Sequence, residues 1–353
     1  MIRPEDVRYF NFAGIAFELT NACSARCRSC LRDCAPGRGD SLDLQRIGFV
    51  LGNLGKHGSF REVGFTGGEC FLRYELLLAA CRLVRDRLGF KIGVATNGYW
   101  AVSAERARAL LEPLAACGLH SLLVSVDDFH LEFIPRERIE NCLNAGLELG
   151  LRCSAQVIHA RGTRRAADFR KLLALRPGPG TLEWIENPCD PVGRARREVA
   201  AEEFGRRRLP RRNMCSVLRL LAVRLDGSAV PCCGTGAEAE GLVIGNVYRE
   251  SVDEIVQRAL RSPLLNSLAV YGGPWGLVQV LEKLGRPEWK RRAYTSPCEA
   301  CFEIFSDAEV TGRLREALAP RWVELLALRL GWQAKLMTAL RAERAAGRRE
   351  SAA

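Results

Sequence analysis

After an initial strand-like run, similar runs recur about every thirty residues through the first half of this 353-residue chain. The six runs cover residues 15–20, 62–66, 91–96, 121–126, 152–157 and 181–186. Between them lie segments with apolar residues three and four positions apart, which is the period of an amphipathic helix. Alternating strands and helices predict a parallel sheet. With six units visible, we expect an α/β fold that forms a partial (βα)6 TIM-type barrel, open rather than closed with eight strands.

The pattern changes after Pro188. Residues 188–210 are charged and rich in Arg, which predicts a linker or covering segment. A β-hairpin is then predicted by two apolar runs around the turn Asp226-Gly227, followed by a third strand at 242–247 and a helix capped by Ser251. We therefore expect three units: a barrel at 12–200, a small α+β domain at 213–305 and a C-terminal helical segment at 313–346. The apolar face of that last helix would consist of Trp322, Leu325, Leu326, Leu330, Leu336 and Leu340.

Composition is typical of a globular protein of the reducing cytosol. No stretch approaches about 18 apolar residues without a charge, and the N-terminus lacks a signal segment, so neither a membrane span nor export is expected. The net charge of +11 is concentrated in residues 193–212 and 311–353. We expect these segments to be solvated or to face an acidic partner rather than nucleic acid. In a reducing compartment the 15 cysteines do not form a disulfide framework, and clustered cysteines predict metal or iron–sulfur ligands.

Cys23, Cys27 and Cys30 form the most informative motif, C-x3-C-x2-C, in the loop directly after the first strand run. Sites in βα folds form at the carboxyl ends of parallel strands. Three thiolates on one short loop can hold three irons of a 4Fe-4S cluster and leave the fourth iron open for chemistry. Two alternatives involve Cys34, which could complete a structural zinc knuckle or form a competing triad with Cys27 and Cys30.

This motif resembles the hallmark of the radical S-adenosylmethionine (SAM) enzymes, and the resemblance covers about residues 12–200. A second family hallmark follows at the end of the second strand run, in the sequence Thr66-Gly67-Gly68-Glu69. In that family the motif contacts the methionine amino group of SAM. Glycines suit such a place because the backbone can then approach a ligand closely.

The resemblance extends to the next strand ends. It implies that Asn97, Ser125 and Asp127 contact the methionine carboxylate and the ribose of SAM, although ordinary strand-end turns would give the same residues. Residues 191–195, Pro-Val-Gly-Arg-Ala, resemble a stretch seen in many relatives. Ser29 departs from the family pattern, in which the residue before the third cysteine is usually aromatic. Adenine contacts must therefore come from elsewhere.

A second, more widely spaced cysteine set consists of Cys215, Cys232, Cys298 and Cys301. With Gly227 five residues before Cys232, this set resembles the Twitch domain, the short form of the SPASM extension of radical SAM enzymes. The resemblance implies one auxiliary 4Fe-4S cluster with a closed shell of four thiolates. A zinc ribbon is the alternative. Cys233 competes with Cys232 as a ligand, and the glycine spacing favours Cys232. No cysteine follows Cys301, so a second auxiliary cluster is not expected.

Other residues near these motifs could act on a substrate. Cys70 is expected at the SAM pocket, where its thiol could donate a hydrogen atom to a substrate radical or merely pack. The run from Asp127 to His130 could supply a general base or an ordinary helix cap. If their strands turn them inward, Glu18, Glu183 and Glu186 would line the substrate cavity.

The resemblance implies that the chain cleaves SAM reductively to a 5′-deoxyadenosyl radical, which abstracts hydrogen from a substrate. The cofactors implied are SAM, the SAM-binding 4Fe-4S cluster and the auxiliary 4Fe-4S cluster. Electrons would come from an external donor such as flavodoxin or ferredoxin. Our leading hypothesis is a maturase that introduces a crosslink, a thioether or an epimerised residue into a ribosomally made peptide, whose acidic leader the basic segments could hold.

Two other functions stay open. One is a dehydrogenase or epimerase of an aminocyclitol or sugar, and the other is a non-catalytic iron–sulfur or zinc scaffold. Only about eleven residues precede the barrel at 12–200, which leaves no room at the N-terminus for a fused leader-binding domain. This weakens the peptide hypothesis but leaves room for a separate leader-peptide-binding protein.

Overall fold

The computed structural model describes residues 12–54, 59–209, 215, 218–270, 272–325, 327, 328 and 331. Its first half contributes six strands: β1 (Gly14–Thr20), β2 (Glu62–Gly67), β3 (Lys91–Thr96), β4 (Leu119–Ser125), β5 (Arg152–His159) and β6 (Thr181–Pro188). The second half adds three short strands: β7 (Leu220–Val223), β8 (Ser228–Val230) and β9 (Gly245–Asn246). Each of the six predicted runs overlaps one of the first six strands, with ends that differ by at most two residues.

The strands form one sheet with the order β6-β5-β4-β3-β2-β1-β7-β8-β9. Every neighbouring pair from β1 to β6 is parallel. Within the described residues β6 and β9 stand at opposite ends of this order, so the sheet is unclosed. The prediction of an open partial barrel is confirmed.

Helices connect the parallel strands, as strand–helix alternation requires. They are α1 (Leu44–Leu54), α2 (Tyr74–Leu88), α3 (Ala104–Ala116), α4 (Asp128–Leu131), α5 (Arg136–Glu148), α6 (Ala166–Leu172) and α7 (Ala195–Glu198). Ser103 caps α3 by accepting a hydrogen bond from the Arg106 amide. All seven residues of β1 are buried, because this strand has neighbours on both edges and packing on both faces.

The predicted hairpin after residue 218 is present, and it joins the barrel directly. β7 pairs in parallel with β1, while β8 pairs antiparallel with β7 and β9 antiparallel with β8. Gly227 in the turn has a φ of +84°, which glycine adopts without strain. The predicted third strand is shortened to β9, because residues Glu240–Leu242 form a 3-10 turn.

The rest of the second half is helical. It comprises α8 (Val252–Arg261), α9 (Pro263–Val270), α10 (Gly273–Lys283), α11 (Glu288–Arg291), α12 (Pro297–Ser306) and α13 (Ala308–Leu318). Ser251 caps α8 in a reciprocal capping box with Glu254, as the sequence predicted. None of the described helices is long and apolar enough to cross a membrane.

The C-terminal segment is helical but not one continuous helix. A 3-10 turn at Ala319–Arg321 follows α13, and Pro320 within it has no amide hydrogen to continue the helical ladder. Leu325 is buried as predicted, whereas Trp322 is exposed. The other expected members of the apolar face, Leu326, Leu330, Leu336 and Leu340, lie outside the described residues.

Candidate active site

The candidate site lies where the carboxyl ends of β1, β2 and β3 meet the loop that follows β1. This cysteine loop, residues 21–43, carries Cys23, Cys27 and Cys30. Burial raises the pKa of the Cys23 thiol to about 11, and the charges of Glu69, Cys27 and Cys30 add to that effect. The three thiols of the motif are therefore neighbours.

Cys34 also lies within this group. A hydrogen bond from the Cys34 thiol lowers the pKa of Cys30 to about 6. The structure thus brings together the motif cysteines and the competing fourth cysteine, so position alone does not separate the two possible triads.

Gly67 and Gly68 let the end of β2 pass directly against the cysteine loop. Gly67 has a φ of +138°, and a Cβ on it would stand 2.3 Å from the Thr20 carbonyl oxygen. A Cβ on Gly68 would stand 2.1 Å from the Ala22 carbonyl oxygen. Both distances are impossible for real atoms. These glycines are thus required by the approach of the protein's own backbone, before any ligand is considered.

Glu69 has no exposed surface, and its carboxylate joins the ends of β2 and β3. One oxygen accepts from the Phe71 amide at 3.1 Å and from the Thr96 hydroxyl at 2.8 Å, and the other accepts from the Asn97 amide at 2.7 Å. Burial raises its pKa to about 7. Both oxygens therefore accept hydrogen bonds within the protein, and these three contacts leave about one of the acceptor positions of the carboxylate open.

Asn97 reaches from the end of β3 to the cysteine loop. Its side-chain amide donates to the Ser24 hydroxyl at 3.1 Å and approaches the Cys23 sulfur at 3.7 Å. The chain of contacts from Glu69 through Asn97 to Cys23 holds three neighbouring strand ends in one arrangement.

Asp127, after β4, is also fully enclosed. Its carboxylate caps α4 by accepting from the His130 amide at 3.0 Å, and it pairs with His130 Nδ1 at 2.8 Å. It accepts in addition from the Ile158 amide at 3.3 Å. Burial alone would lower the pKa of His130, but the Asp127 and Cys27 charges outweigh burial and raise it well above its ordinary value. Ser125 is half-buried at the same strand end.

Cys70 begins a 3-10 turn, Cys70–Arg73, immediately after Glu69. It has no exposed surface and belongs to the hydrophobic core. Burial raises the pKa of its thiol well above the ordinary value. This position fits the packing alternative better than it fits hydrogen-atom donation into the pocket.

The segment predicted to be a linker or a covering segment binds the cysteine loop through Arg194 and Gly193. The buried Arg194 donates to the Cys27 carbonyl and to the Cys34 carbonyl, each at 2.9 Å, and its own amide donates to the Cys30 carbonyl at 2.9 Å. Gly193 has a φ of +60°, and a Cβ there would stand 2.1 Å from the Leu31 carbonyl oxygen. Of the two predicted alternatives, a covering segment describes this stretch, and its high Arg content alone did not distinguish solvated side chains from one that binds carbonyls.

The second cysteine set gathers around the start of α12, which carries Cys298 and Cys301. Burial raises the pKa of Cys301 well above its ordinary value, and charges on Cys232, Cys298 and Cys215 add to this effect. A Cβ on Gly236 would stand 3.0 Å from the Cys301 sulfur, so the Gly234–Gly236 stretch lies closely against the set. Cys232 is buried and Cys233 is exposed, and both lie beside this site.

Arg32, which the sequence analysis did not select, links the two cysteine sites. Its guanidinium lies 2.8 Å from Glu18 on β1 and 3.0 Å from Glu238 in the second half. Glu18 is thus buried against the cysteine loop, while Glu183 is exposed and Glu186 forms an ion pair with Arg165 at 2.7 Å. The sequence signal that could have pointed to Arg32 was its place two residues after Cys30, the last cysteine of the motif.

The donor set suits iron–sulfur clusters, since each site offers thiols that the fold has already brought together. No three His, Cys, Asp or Glu side chains among the described residues are arranged to hold a single metal ion. Thiolates around a cluster of four irons are spread more widely than around one ion.

Comparison with known proteins agrees with this geometry. Residues 17–154 match the family model of the radical SAM superfamily, and residues 215–302 match that of SPASM, an iron–sulfur cluster-binding domain. The chain is 21% identical over 305 residues to YydG of Bacillus subtilis (strain 168), a protein named for peptide biosynthesis. That match covers 84% of this chain and 92% of YydG.

Two further similarities support less, because one covers only part of the chain and the other shows the fold alone. GTP 3',8-cyclase of Paenarthrobacter nicotinovorans is 30% identical over 125 residues, which cover 32% of this chain and 31% of the cyclase. The solved structure of native anSMEcpe with bound AdoMet and Cp18Cys peptide aligns with a TM-score of 0.53 at 13% identity. It covers 90% of this chain and 99% of that chain, and it shows that the two share a fold.

Proposed function

Because the chain belongs to the radical SAM superfamily and carries a SPASM iron–sulfur domain, we propose that it is a maturase of a ribosomally made peptide. The proposed modification is a crosslink, a thioether or an epimerised residue. The observation that carries the proposal is the similarity to YydG, which extends over 92% of that protein. A match of this extent includes both domains, so it goes beyond the half that generates the radical.

In the proposed site, Cys23, Cys27 and Cys30 hold the SAM-binding 4Fe-4S cluster. When bound and reduced, this cluster supplies the electron that cleaves SAM to methionine and a 5′-deoxyadenosyl radical, which takes a hydrogen atom from the substrate. Arg194 and Gly193 keep the loop backbone in place, so that the three sulfurs keep their spacing when the site is loaded.

We assign the SAM contacts to two groups of residues. Gly67, Gly68, Asn97 and Ser125 stand at the strand ends and would contact SAM. Glu69 would act through Asn97, whose amide it already binds, and Asp127 would hold the start of α4 beside the site. A site organised in this way places SAM with little loss of freedom on binding, which is what positioning a reactive radical requires.

The auxiliary cluster would be held by Cys215, Cys232, Cys298 and Cys301. Four thiolates leave no open iron, so its role would be electron transfer or structural support. The proposal also includes an external electron donor such as flavodoxin or ferredoxin, a separate leader-peptide-binding protein and a reducing cytoplasm, where 15 cysteines stay reduced.

The test is to incubate the anaerobically reconstituted, reduced enzyme with SAM and any short peptide that is encoded beside its gene. A peptide maturase forms 5′-deoxyadenosine together with a modified peptide, seen as a loss of two mass units for a crosslink or thioether. Turnover of an aminocyclitol or sugar, with every peptide unchanged, would contradict the proposal. A protein that binds metal and never cleaves SAM would support the scaffold alternative.

Deuterated water separates the outcomes further and tests Cys70. Thiol protons exchange with solvent, so a peptide epimerised through a thiol donor gains one deuterium. If Cys70 is that donor, Cys70→Ala removes the labelled product and leaves 5′-deoxyadenosine formation intact. Label that persists in Cys70→Ala would assign the residue to packing.

A further inference from the structure

A five-residue segment, Asp190–Arg194, touches both cysteine sites. Its last residue binds carbonyls of the loop that carries Cys27 and Cys30. Its first residue, Asp190, is buried and lies beside the other cysteine set. The segment therefore connects two sites that are far apart in the sequence.

Asp190 accepts three side-chain hydrogen bonds from the SPASM half. Thr235 donates at 2.6 Å, Ser296 donates at 2.9 Å, and the Thr295 hydroxyl has one hydrogen that Asp190 shares with Glu299, which lies 2.7 Å from the same oxygen. All three partners are neutral, and the described part of the chain places no cation in an ion pair with this carboxylate. A negative charge on a carboxylate in such a buried place acts on its neighbours through a medium that screens it less than water does.

The three donors stand on the two walls of the auxiliary cysteine site. Thr235 begins the 3-10 turn whose Gly236 packs on Cys301. Thr295 and Ser296 precede Cys298, and Ser296 caps α12 by accepting from the Cys298 amide at 3.0 Å. One carboxylate thus ties both walls of the site to each other and to the barrel.

We propose that Asp190 is a positioning residue that fixes the auxiliary cluster site against the barrel and holds that cluster at a lower reduction potential. The inference rests on the proposed function, since it requires that the second cysteine set bind a cluster. A negative charge beside a cluster disfavours adding an electron, so its removal raises the potential. Consistent with this proximity, the Asp190 charge adds to the effect of burial in raising the pKa of Cys298.

Two substitutions separate charge from position. Asp190→Asn keeps the size of the side chain, and the three hydroxyls can rotate to donate or accept, so the contacts are retained without the charge. Asp190→Ala removes charge and contacts together. Glu240→Gln is the matched control, because this carboxylate lies in the same half of the chain but its side chain is 85% exposed.

The experiment is an electron paramagnetic resonance redox titration of the reconstituted holoenzyme, with iron analysis. Adding SAM identifies the clusters, since SAM alters only the signal of the cluster with an open iron. We expect Asp190→Asn to keep all its iron and to favour reduction of the SAM-insensitive cluster about tenfold, which is about 59 mV for one electron. Glu240→Gln should shift neither potential, and Asp190→Ala should lose auxiliary iron.

Two results would overturn the inference. One would refute the role of Asp190 alone, and the other would refute the auxiliary cluster as well. If Asp190→Asn matches Glu240→Gln in potential and Asp190→Ala keeps its iron, Asp190 has no role toward a cluster that is nonetheless present. If the wild-type protein holds one cluster, and its signal responds to SAM, the auxiliary cluster of the proposed function is refuted together with the role of Asp190.

Discussion

Glu69 acts as an acceptor for three protein donors, and this makes its protonation state important for the site. The carboxylate form can accept from Phe71, Thr96 and Asn97 together. A protonated Glu69 would bring a fourth hydrogen into this group of donors. Burial raises the pKa to about 7, so the change falls within the range where such enzymes are assayed.

We therefore predict that SAM affinity rises as the pH increases through about 7 and levels off above it. The affinity rises rather than falls because the carboxylate, which forms as the pH increases, is the form of Glu69 that accepts from the Asn97 amide. Anaerobic equilibrium dialysis of SAM between pH 6 and 8.5 measures this dependence. Glu69→Gln should bind SAM about tenfold more weakly at pH 8 and show no such rise, because its NH2 group faces an N–H in either orientation. An unchanged pH profile in Glu69→Gln would remove Glu69 from the account.

Arg194 offers a second test at the level of one side chain. Arg194→Ala removes two hydrogen bonds from a charged donor, which together stabilise the cysteine loop by about 3 kcal/mol. We expect iron to fall from about eight to about four per chain, lost from the SAM-binding site. Arg196→Ala is the control, because Arg196 is the exposed neighbour on α7. Equal iron content in the two variants would contradict the proposal that Arg194 holds the cysteine loop in place.

At the scale of elements, the site depends on how closely β2 approaches the loop after β1. Gly68→Ala would force a Cβ to within 2.1 Å of the Ala22 carbonyl, so strand and loop must separate. We expect it to lower the melting temperature and to abolish SAM binding. Gly52→Ala, on α1 where an added Cβ meets nothing within 4 Å, should instead stabilise the protein by about 1 kcal/mol. Thermal denaturation of both variants measures these changes. If both variants lost similar amounts of stability, the close approach of β2 to the loop after β1 would be refuted.

Elements were the easiest part to predict, since periodicity and capping residues are local signals. The six barrel strands and the caps at Ser103 and Ser251 follow from such signals. The parallel pairing of β7 with β1 does not, because it joins residues some two hundred positions apart through contacts that leave no local pattern. The break at Ala319–Arg321 was missed although Pro320 marked it.

The residues of the candidate site also separate into those with a local sequence signal and those without one. Cys23, Cys27, Cys30 and the glycines of β2 carry motif spacing and were selected directly. The sequence could suggest Glu69 and Asp127 but not that their carboxylates would be enclosed, since burial depends on what packs over a residue. Arg32 and Asp190 were missed because their partners come from the other half of the chain.

At the scale of the whole molecule, the sheet is continuous from the barrel into the SPASM half, and the two cysteine sites are linked through Arg32 and the Asp190–Arg194 segment. We predict about eight irons per chain after anaerobic reconstitution, four in each cluster. Replacing Cys298 and Cys301 by Ala should leave about four, all in the SAM-binding cluster. Iron analysis decides this, and stoichiometric zinc in the wild-type protein would favour the scaffold or zinc-ribbon alternatives.

The most direct test of the central claim is the amount of 5′-deoxyadenosine formed from SAM by the reduced, reconstituted protein. We expect formation by the wild type, none after replacement of Cys23, Cys27 and Cys30 by Ala, and continued formation after replacement of Cys298 and Cys301. Chromatography with mass detection measures the product in all three proteins. Intact SAM in the presence of a fully loaded wild-type protein would contradict the account, as would equal formation by the variant that lacks Cys23, Cys27 and Cys30.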